Sequence, residues 1–316
     1  MSPERGAGGE AKEGAAADKV MQQSGSKTKS RQELAKHEQF DEVSPEVGEI
    51  NQIALDAAME HDPDATLSML ADMTGATDEK LRALAKRLAG SIMVELGKRG
   101  RVRQRGIGKL VSQPYRPDGG DLDLDASLGG ILMAKATGTA VAVDELRVTG
   151  WVKPATAYCL LVDRSGSMNG TPLATSAVGA AAVSHRAADY SVVAFAGDAV
   201  VAKSQDSDKP IEQVVTEVLS LRGAGTTDVA LALRIAQEQL ARSRAGRKIT
   251  VLLSDCRATA KGDMRAAAGG LDELVIIAPE GDAEDAIAFG REVGARVVTV
   301  AGPSHLPAAL AEALGD

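Results

Sequence analysis

Ala157-Tyr158-Cys159-Leu160-Leu161-Val162-Asp163-Arg164-Ser165-Gly166-Ser167-Met168 is the stretch around which the chain is organised. A short apolar run ending in a polar, glycine-containing turn predicts a buried parallel strand over 157–162 that feeds a loop. The loop offers one carboxylate, Asp163, and two hydroxyls, Ser165 and Ser167, at alternate positions. Oxygen ligands at that density suit a hard cation such as Mg²⁺.

Downstream, helix-like and strand-like segments alternate. A helix is expected over about 171–188. Strands follow at 190–195 and 199–203, joined by a tight Gly197-Asp198 turn. Helices are expected at 210–219 and 228–241, strands at 249–253, 274–278 and 297–301, and a last helix at 307–314. Apolar strands alternating with helices imply strands buried on both faces. The expected fold is α/β: a doubly wound, mainly parallel sheet with one antiparallel edge strand from the hairpin, preceded by a small helical region.

In such a sheet ligands bind beyond the carboxyl ends of the strands. Three loops gather there: Asp163-x-Ser165-x-Ser167, then Gly223-Ala224-Gly225-Thr226-Thr227-Asp228, then Ser254-Asp255 after the 249–253 strand. In these loops the sequence resembles the von Willebrand factor A family, which is Rossmann-like in fold. The resemblance covers about residues 156–316. The family's metal-ion-dependent adhesion site is built from an Asp-x-Ser-x-Ser loop, a later Thr and a later Asp. Asp163, Ser165 and Ser167 match the first loop, Thr227 the threonine and Asp255 the last acid. Thr226 is the alternative if the loop is shifted by one. Cys256 departs from the pattern, because many members carry Gly after that Asp, and the tightness of the turn depends on it.

The resemblance implies a site for Mg²⁺ (or Mn²⁺). Hydroxyls lie close to the ion, aspartates often act through water, and one position stays open to a carboxylate from a partner protein. It is a binding device, which implies a protein that is not an enzyme. The Gly-Ser-Met ending of the first loop is similar to intracellular bacterial members, as is Gly119-Gly120-Asp121-Leu122-Asp123-Leu124-Asp125 upstream. These members include the D subunit of magnesium chelatase and shorter proteins that work with MoxR-type AAA+ ATPases. A chelatase D subunit carries a complete AAA+-like domain before its linker. Only about 150 residues precede the domain here, which favours an adaptor that binds an AAA+ ATPase or its client and serves maturation or remodelling of a protein complex. A subunit of a magnesium or cobalt chelatase-like complex is the alternative.

Enzymatic motifs are sparse. Arg105-Gly106-Ile107-Gly108-Lys109-Leu110 has the lysine of a phosphate-binding loop but not its hydroxyl residue or a preceding buried strand. The four histidines, His37, His61, His185 and His305, show no metal-ligand spacing. Cys159 reads as a core residue, and Cys256 has no partnered histidine. A disulfide between them is not expected, because Cys159 lies about 13 Å down its strand from the loop.

Before residue 156 the chain divides into three. Residues 1–44 have few large apolar side chains and read as a disordered tail. Residues 45–100 carry helical periodicity. The first helix is expected from Ser44-Pro45, with Val47, Ile50, Ile53, Ala54 and Ala57 on one face. A second restarts at Asp62-Pro63 with Leu67 and Leu70. A third starts at Thr77, with the stripe Leu81, Leu84, Leu88, Ile92 and Leu96. Their apolar faces are expected to pack on each other or on the next domain; docking a partner is the sharper reading. Residues 101–155 read as a charged linker and lead-in strand, with a helix over 122–135 and a strand over 144–152. Lys98, Arg99, Arg101, Arg103, Arg105 and Lys109 are basic, and Asp118, Asp121, Asp123 and Asp125 follow.

With one Trp, three Tyr and three Phe, the core must be built from Ala, Val, Leu and Ile. A net charge of −8 argues against bulk nucleic-acid binding, and the basic run lacks an aromatic residue for base stacking. No apolar segment approaches the roughly 18 residues of a membrane helix. Met1 to Lys29 lacks the apolar core of a secretory signal. A cytoplasmic protein is the expectation.

Overall fold

The computed structural model describes residues 11–24, 28–99, 109–115, 121–152, 155–164, 170–223 and 225–314. They form two compact units, one from 1–102 together with 156–316 and one from 103–155.

The larger unit is built on a sheet ordered Ala11–Lys12, Ala199–Lys203, Tyr190–Phe195, Thr156–Asp163, Arg247–Leu253, Glu273–Pro279, Arg296–Val300. Neighbours run parallel except Ala199–Lys203 against Tyr190–Phe195. This is the doubly wound α/β architecture. The antiparallel strand is covered on its outer side by the two-residue Ala11–Lys12 strand, which pairs parallel to it.

Side chains on the central strand alternate between the two faces, as strand geometry requires. Tyr158, Leu160 and Val162 pack into the cluster formed with the helices Thr171–Ser184, Ile211–Ser220 and Leu306–Leu314. Ala157, Cys159 and Leu161 pack into the other, with Val229–Ala241, Met264–Ala268 and Glu284–Val293. The strand must be apolar throughout because it has no solvent face.

The N-terminal helices Gln52–His61, Pro63–Met73 and Glu79–Lys98 are a further layer of this unit; the last two pack on Thr171–Ser184, and the first packs on Pro63–Met73. The first does not start at Ser44-Pro45. Asn51 caps it, with its Oδ1 accepting from the Ile53 and Ala54 N–H groups. That phase turns Leu55 and Ala58 inward and leaves Val47 and Ile53 at 70% and 83% exposure. Asp62 caps the second helix, with Pro63 at its first position, and Leu67 and Leu70 are buried as the periodicity implied. Asp78 caps the third. Its deepest stripe includes Leu81, Ala85, Ala89, Met93, Leu96 and Gly97, while Leu84, Leu88 and Ile92 are half-buried. Small side chains win that face because the helix lies close to its neighbour: a Cβ on Gly97 would sit 2.7 Å from the Cβ of Ala181.

Residues 11–24 and 28–44 differ from the disordered tail expected of their composition. Ala11–Lys12 joins the sheet, Ala15–Ser24 is helical, and Leu34, Phe40 and Val43 are fully buried. Ser30 and Glu33 form a reciprocal capping box. The few apolar residues here complete a core supplied by distant segments, so local composition understates what they bury.

The smaller unit also replaces an expected linker with a fold. Arg147–Val152 is the middle strand of an antiparallel sheet, between Lys109–Pro114 and Asp121–Leu122. The helix is Leu124–Thr137, two residues later than expected, because Asp123 caps it through the Ala126 N–H. Val148 and Ala134 are buried, and the Arg147 N–H donates to Ser127 Oγ at 2.8 Å. Residues 144–152 divide into a 3-10 turn, Val143–Glu145, and the strand. Most of the basic run, 100–108, lies outside the described residues. Among the described residues no helix is long and apolar enough to cross a membrane.

Candidate metal centre

Asp163 is the last residue of the central strand, at its carboxyl end. Ser165 and Ser167 lie outside the described residues. Asp163 accepts a hydrogen bond from Ser254 Oγ, 2.6 Å from its Oδ2. Ser254 follows the neighbouring strand Arg247–Leu253, so this bond joins the first and third loops. The same Oγ accepts the Cys256 N–H at 2.9 Å. Ser254 was not among the candidate ligands; its position directly before Asp255 was the available signal.

Asp255 is half-buried, and its Oδ1 accepts the Arg257 N–H at 2.9 Å in an Asx turn. Between these two bonds Cys256 adopts φ 64°, the left-handed region. Among the described residues it is the one non-glycine with positive φ. The turn is therefore as tight as glycine would make it, achieved by a residue with a Cβ. Burial pushes the Cys256 thiol up to about 12, reinforced by the negative charges of Asp255, Asp163 and Asp285. The carboxylates of the first and third loops thus surround one neutral thiol.

The second loop meets the third through its backbone. The Thr227 N–H donates to Thr259 Oγ1 at 2.8 Å, and the Thr227 carbonyl accepts from the N–H groups of Thr259 and Ala260. Thr227 is 4% exposed, whereas Thr226 is exposed and lies against Gly197 of the hairpin turn. Asp228 caps the helix Val229–Ala241 through the Leu231 N–H. Arg164, beside Asp163, points the other way. It is buried and paired with Asp198, which also takes Lys12 Nζ. Burial works against the charge of Asp198, but Lys12 and Arg164 hold its carboxyl below the usual range.

Asp163, Ser254 and Asp255 line one end of a cavity of about 260 Å³. Its walls come from Pro172 and Thr175 on one helix and from Ile277, Val300 and Gly302 at strand ends. Among the described residues no three of His, Cys, Asp and Glu form a metal-binding group. The carboxylates of Asp163 and Asp255, with the Ser254 hydroxyl bonded to the first, are what the described part brings together.

Residues 158–258 match the von Willebrand factor type A domain family. No curated protein matches the chain. Among solved structures, the chain is similar to a von Willebrand factor type A protein from Catenulispora acidiphila, at 16% identity and TM-score 0.41, over 52% of this chain and 43% of that one. It is similar to an aerotolerance-related membrane protein from Bacteroides fragilis, at 17% identity and TM-score 0.40, over 51% and 98%. It is also similar to the manganese-loaded TRAP protein of Plasmodium vivax, at 18% identity and TM-score 0.38, over 46% and 68%. The matched part spans less than half the length of the Catenulispora chain.

Proposed function

We propose that this von Willebrand factor type A domain is a non-enzymatic, Mg²⁺-dependent protein-binding adaptor. Its partner is a MoxR-type AAA+ ATPase or that ATPase's client, in the maturation or remodelling of a protein complex. The observation that carries the reading is the Asp163–Ser254–Cys256 linkage, which draws two loops and two carboxylates together beyond the strand ends. The donor set fits a hard cation. Asp163 and Asp255 supply carboxylate oxygens, and Thr227, Ser165 and Ser167 supply hydroxyls. Mg²⁺ prefers six oxygens and keeps several waters, which aspartates can hold from outside. The sulfur of Cys256 is a soft donor and does not suit such an ion. The burial of Thr227, against the exposure of Thr226, supports Thr227 as the ligand. Mn²⁺ would fit the same oxygens.

When bound, the cation would supply an electrophile for a carboxylate of the partner protein. The chain's own residues would orient the ligands around it. Affinity capture from lysate tests this in three arms: with Mg²⁺, with EDTA, and with Asp163→Ala in Mg²⁺. An AAA+ ATPase or its client retained only in the first arm is expected. Equal recovery of the same protein in all three would exclude a metal bridge.

A further inference from the structure

We propose that the helix Pro63–Met73, outside the matched domain, is a strap that sets the geometry of the metal loop, with Asp72 as a positioning residue. The inference rests on the metal reading above. Asp72 is 9% exposed. Its Oδ1 accepts the Gly170 N–H at 2.6 Å. Lys29 Nζ lies 2.7 Å from Oδ1, and His37 Nε2 lies 3.0 Å from Oδ2. Gly170 is the third residue after Ser167 and the entry to the helix Thr171–Ser184. Having no side chain, it cannot cap that helix itself, and the Asp72 carboxylate supplies an anion at the positive helix end.

Gly170 meets the strap helix at two points. Its φ is 53°, and a Cβ there would lie 2.5 Å from Ser68 Oγ on the same strap helix. At the other end of the strap, Asp64 Oδ1 accepts the Ser304 N–H at 2.7 Å, in the segment after the last strand. Eight residues separate Asp64 from Asp72, about 12 Å along a helix. The strap therefore holds Gly170, at the entry to the helix Thr171–Ser184, and Ser304, after the last strand. Thr171, Pro172 and Gly302, which line the cavity holding Asp163 and Asp255, adjoin these two anchors.

Burying a carboxylate is costly, and an apolar side chain would serve packing as well or better. What Asp72 adds is position: it fixes the Gly170 N–H, three residues after Ser167. Groups bonded directly to metal ligands are typically worth about 10–100-fold in metal affinity, and Asp72, acting one step further out through Gly170, is placed at the lower end.

Mn²⁺ alone is the probe, titrated into the full chain and followed by the EPR signal of the free ion. Asp72→Ala should weaken Mn²⁺ binding by about 10-fold or more. Leu67→Ala, a buried change on the same helix, should leave it within about twofold under conditions where circular dichroism shows both variants folded. Asp163→Ala should abolish it. Asp72→Asn keeps an oxygen for the Gly170 N–H and should fall between; it carries the test if Asp72→Ala does not fold. Wild-type affinity in the folded Asp72 variants, with Asp163→Ala inactive, would overturn the strap and leave the metal site. An equal loss in Leu67→Ala would also overturn it. Mn²⁺ uptake that is absent from the wild type, or untouched by Asp163→Ala, would overturn both readings.

Discussion

Two glycines on the helix Glu79–Lys98 should respond in opposite directions to the same added carbon. At Gly97 a Cβ would lie 2.7 Å from the Ala181 Cβ and 2.8 Å from the Ala181 carbonyl carbon and the Ala182 nitrogen. Carbon pairs rest at about 3.5–4.0 Å, so the two helices must part by about 1 Å. The obstruction is largely backbone, which cannot swing aside. Overpacking of this kind costs about 1–3 kcal/mol. Alanine regains at most about 1 kcal/mol of helix propensity, and less here, one residue from the helix end. Gly97→Ala should therefore destabilise by about 1–2 kcal/mol. At Gly90 the nearest atom to a Cβ is Thr216 Oγ1 at 3.8 Å, an ordinary contact. Gly90→Ala should stabilise by up to about 1 kcal/mol. The two variants should differ by about 1–3 kcal/mol, or roughly 1 M in urea midpoint at a typical slope. Far-ultraviolet circular dichroism in urea measures it. If Gly97→Ala proves as stable as Gly90→Ala, the N-terminal helices do not pack on Thr171–Ser184 as described, and the strap loses its support.

Chemical labelling and acid titration test two other parts of the site. Burial pushes both thiols, Cys159 and Cys256, up to about 12, so at pH 8 about one in ten thousand of each is thiolate. Neither should react with a disulfide reagent in the native chain, and both should react in guanidinium; fast native labelling of Cys256 would show that its turn is open. Burial works against the Asp72 charge, but hydrogen bonds from His37, Lys29 and Gly170 outweigh it and hold the carboxyl below its ordinary value of 3.8. Stability from Asp72 is therefore complete above that value and is lost as pH falls through the lower, folded one. As pH drops below about 4, urea midpoints should fall more steeply for wild type than for Asp72→Asn, and parallel curves there would refute the assignment.

The strands Thr156–Asp163, Tyr190–Phe195, Ala199–Lys203 and Arg247–Leu253 were legible because each is an apolar run with both faces buried, so composition alone marks it. Helix starts at Asp62 and Asp228 were legible for a local reason: the side chain bonds its own backbone three residues on. What composition could not reveal is burial supplied from elsewhere. Phe40 and Val43 stand in a polar stretch and are buried by residues of later helices. The Asp72–Gly170 bond joins residues 98 apart, with no pattern at either end to announce it. Val47 and Ile53 failed for the converse reason: their spacing fits a helix face, but the Asn51 cap starts the helix later and turns them outward.

Cys256 shows how a departure from a family pattern becomes physical. Holding a residue with a Cβ in the left-handed region costs roughly 1–2 kcal/mol, which glycine would avoid. The strain persists because its surroundings over-determine the turn: the N–H is held by Ser254 Oγ at 2.9 Å, and the side chain is 5% exposed. That hydroxyl also donates to Asp163, so the strained turn and the first loop share one atom. Strain of this size tends to survive where structure around a working site enforces it. Here it lies where two carboxylates from separate strands are drawn together, and the buried thiol fills space that glycine would leave empty. The turn therefore keeps its shape without glycine, and the two loops remain coupled through Ser254.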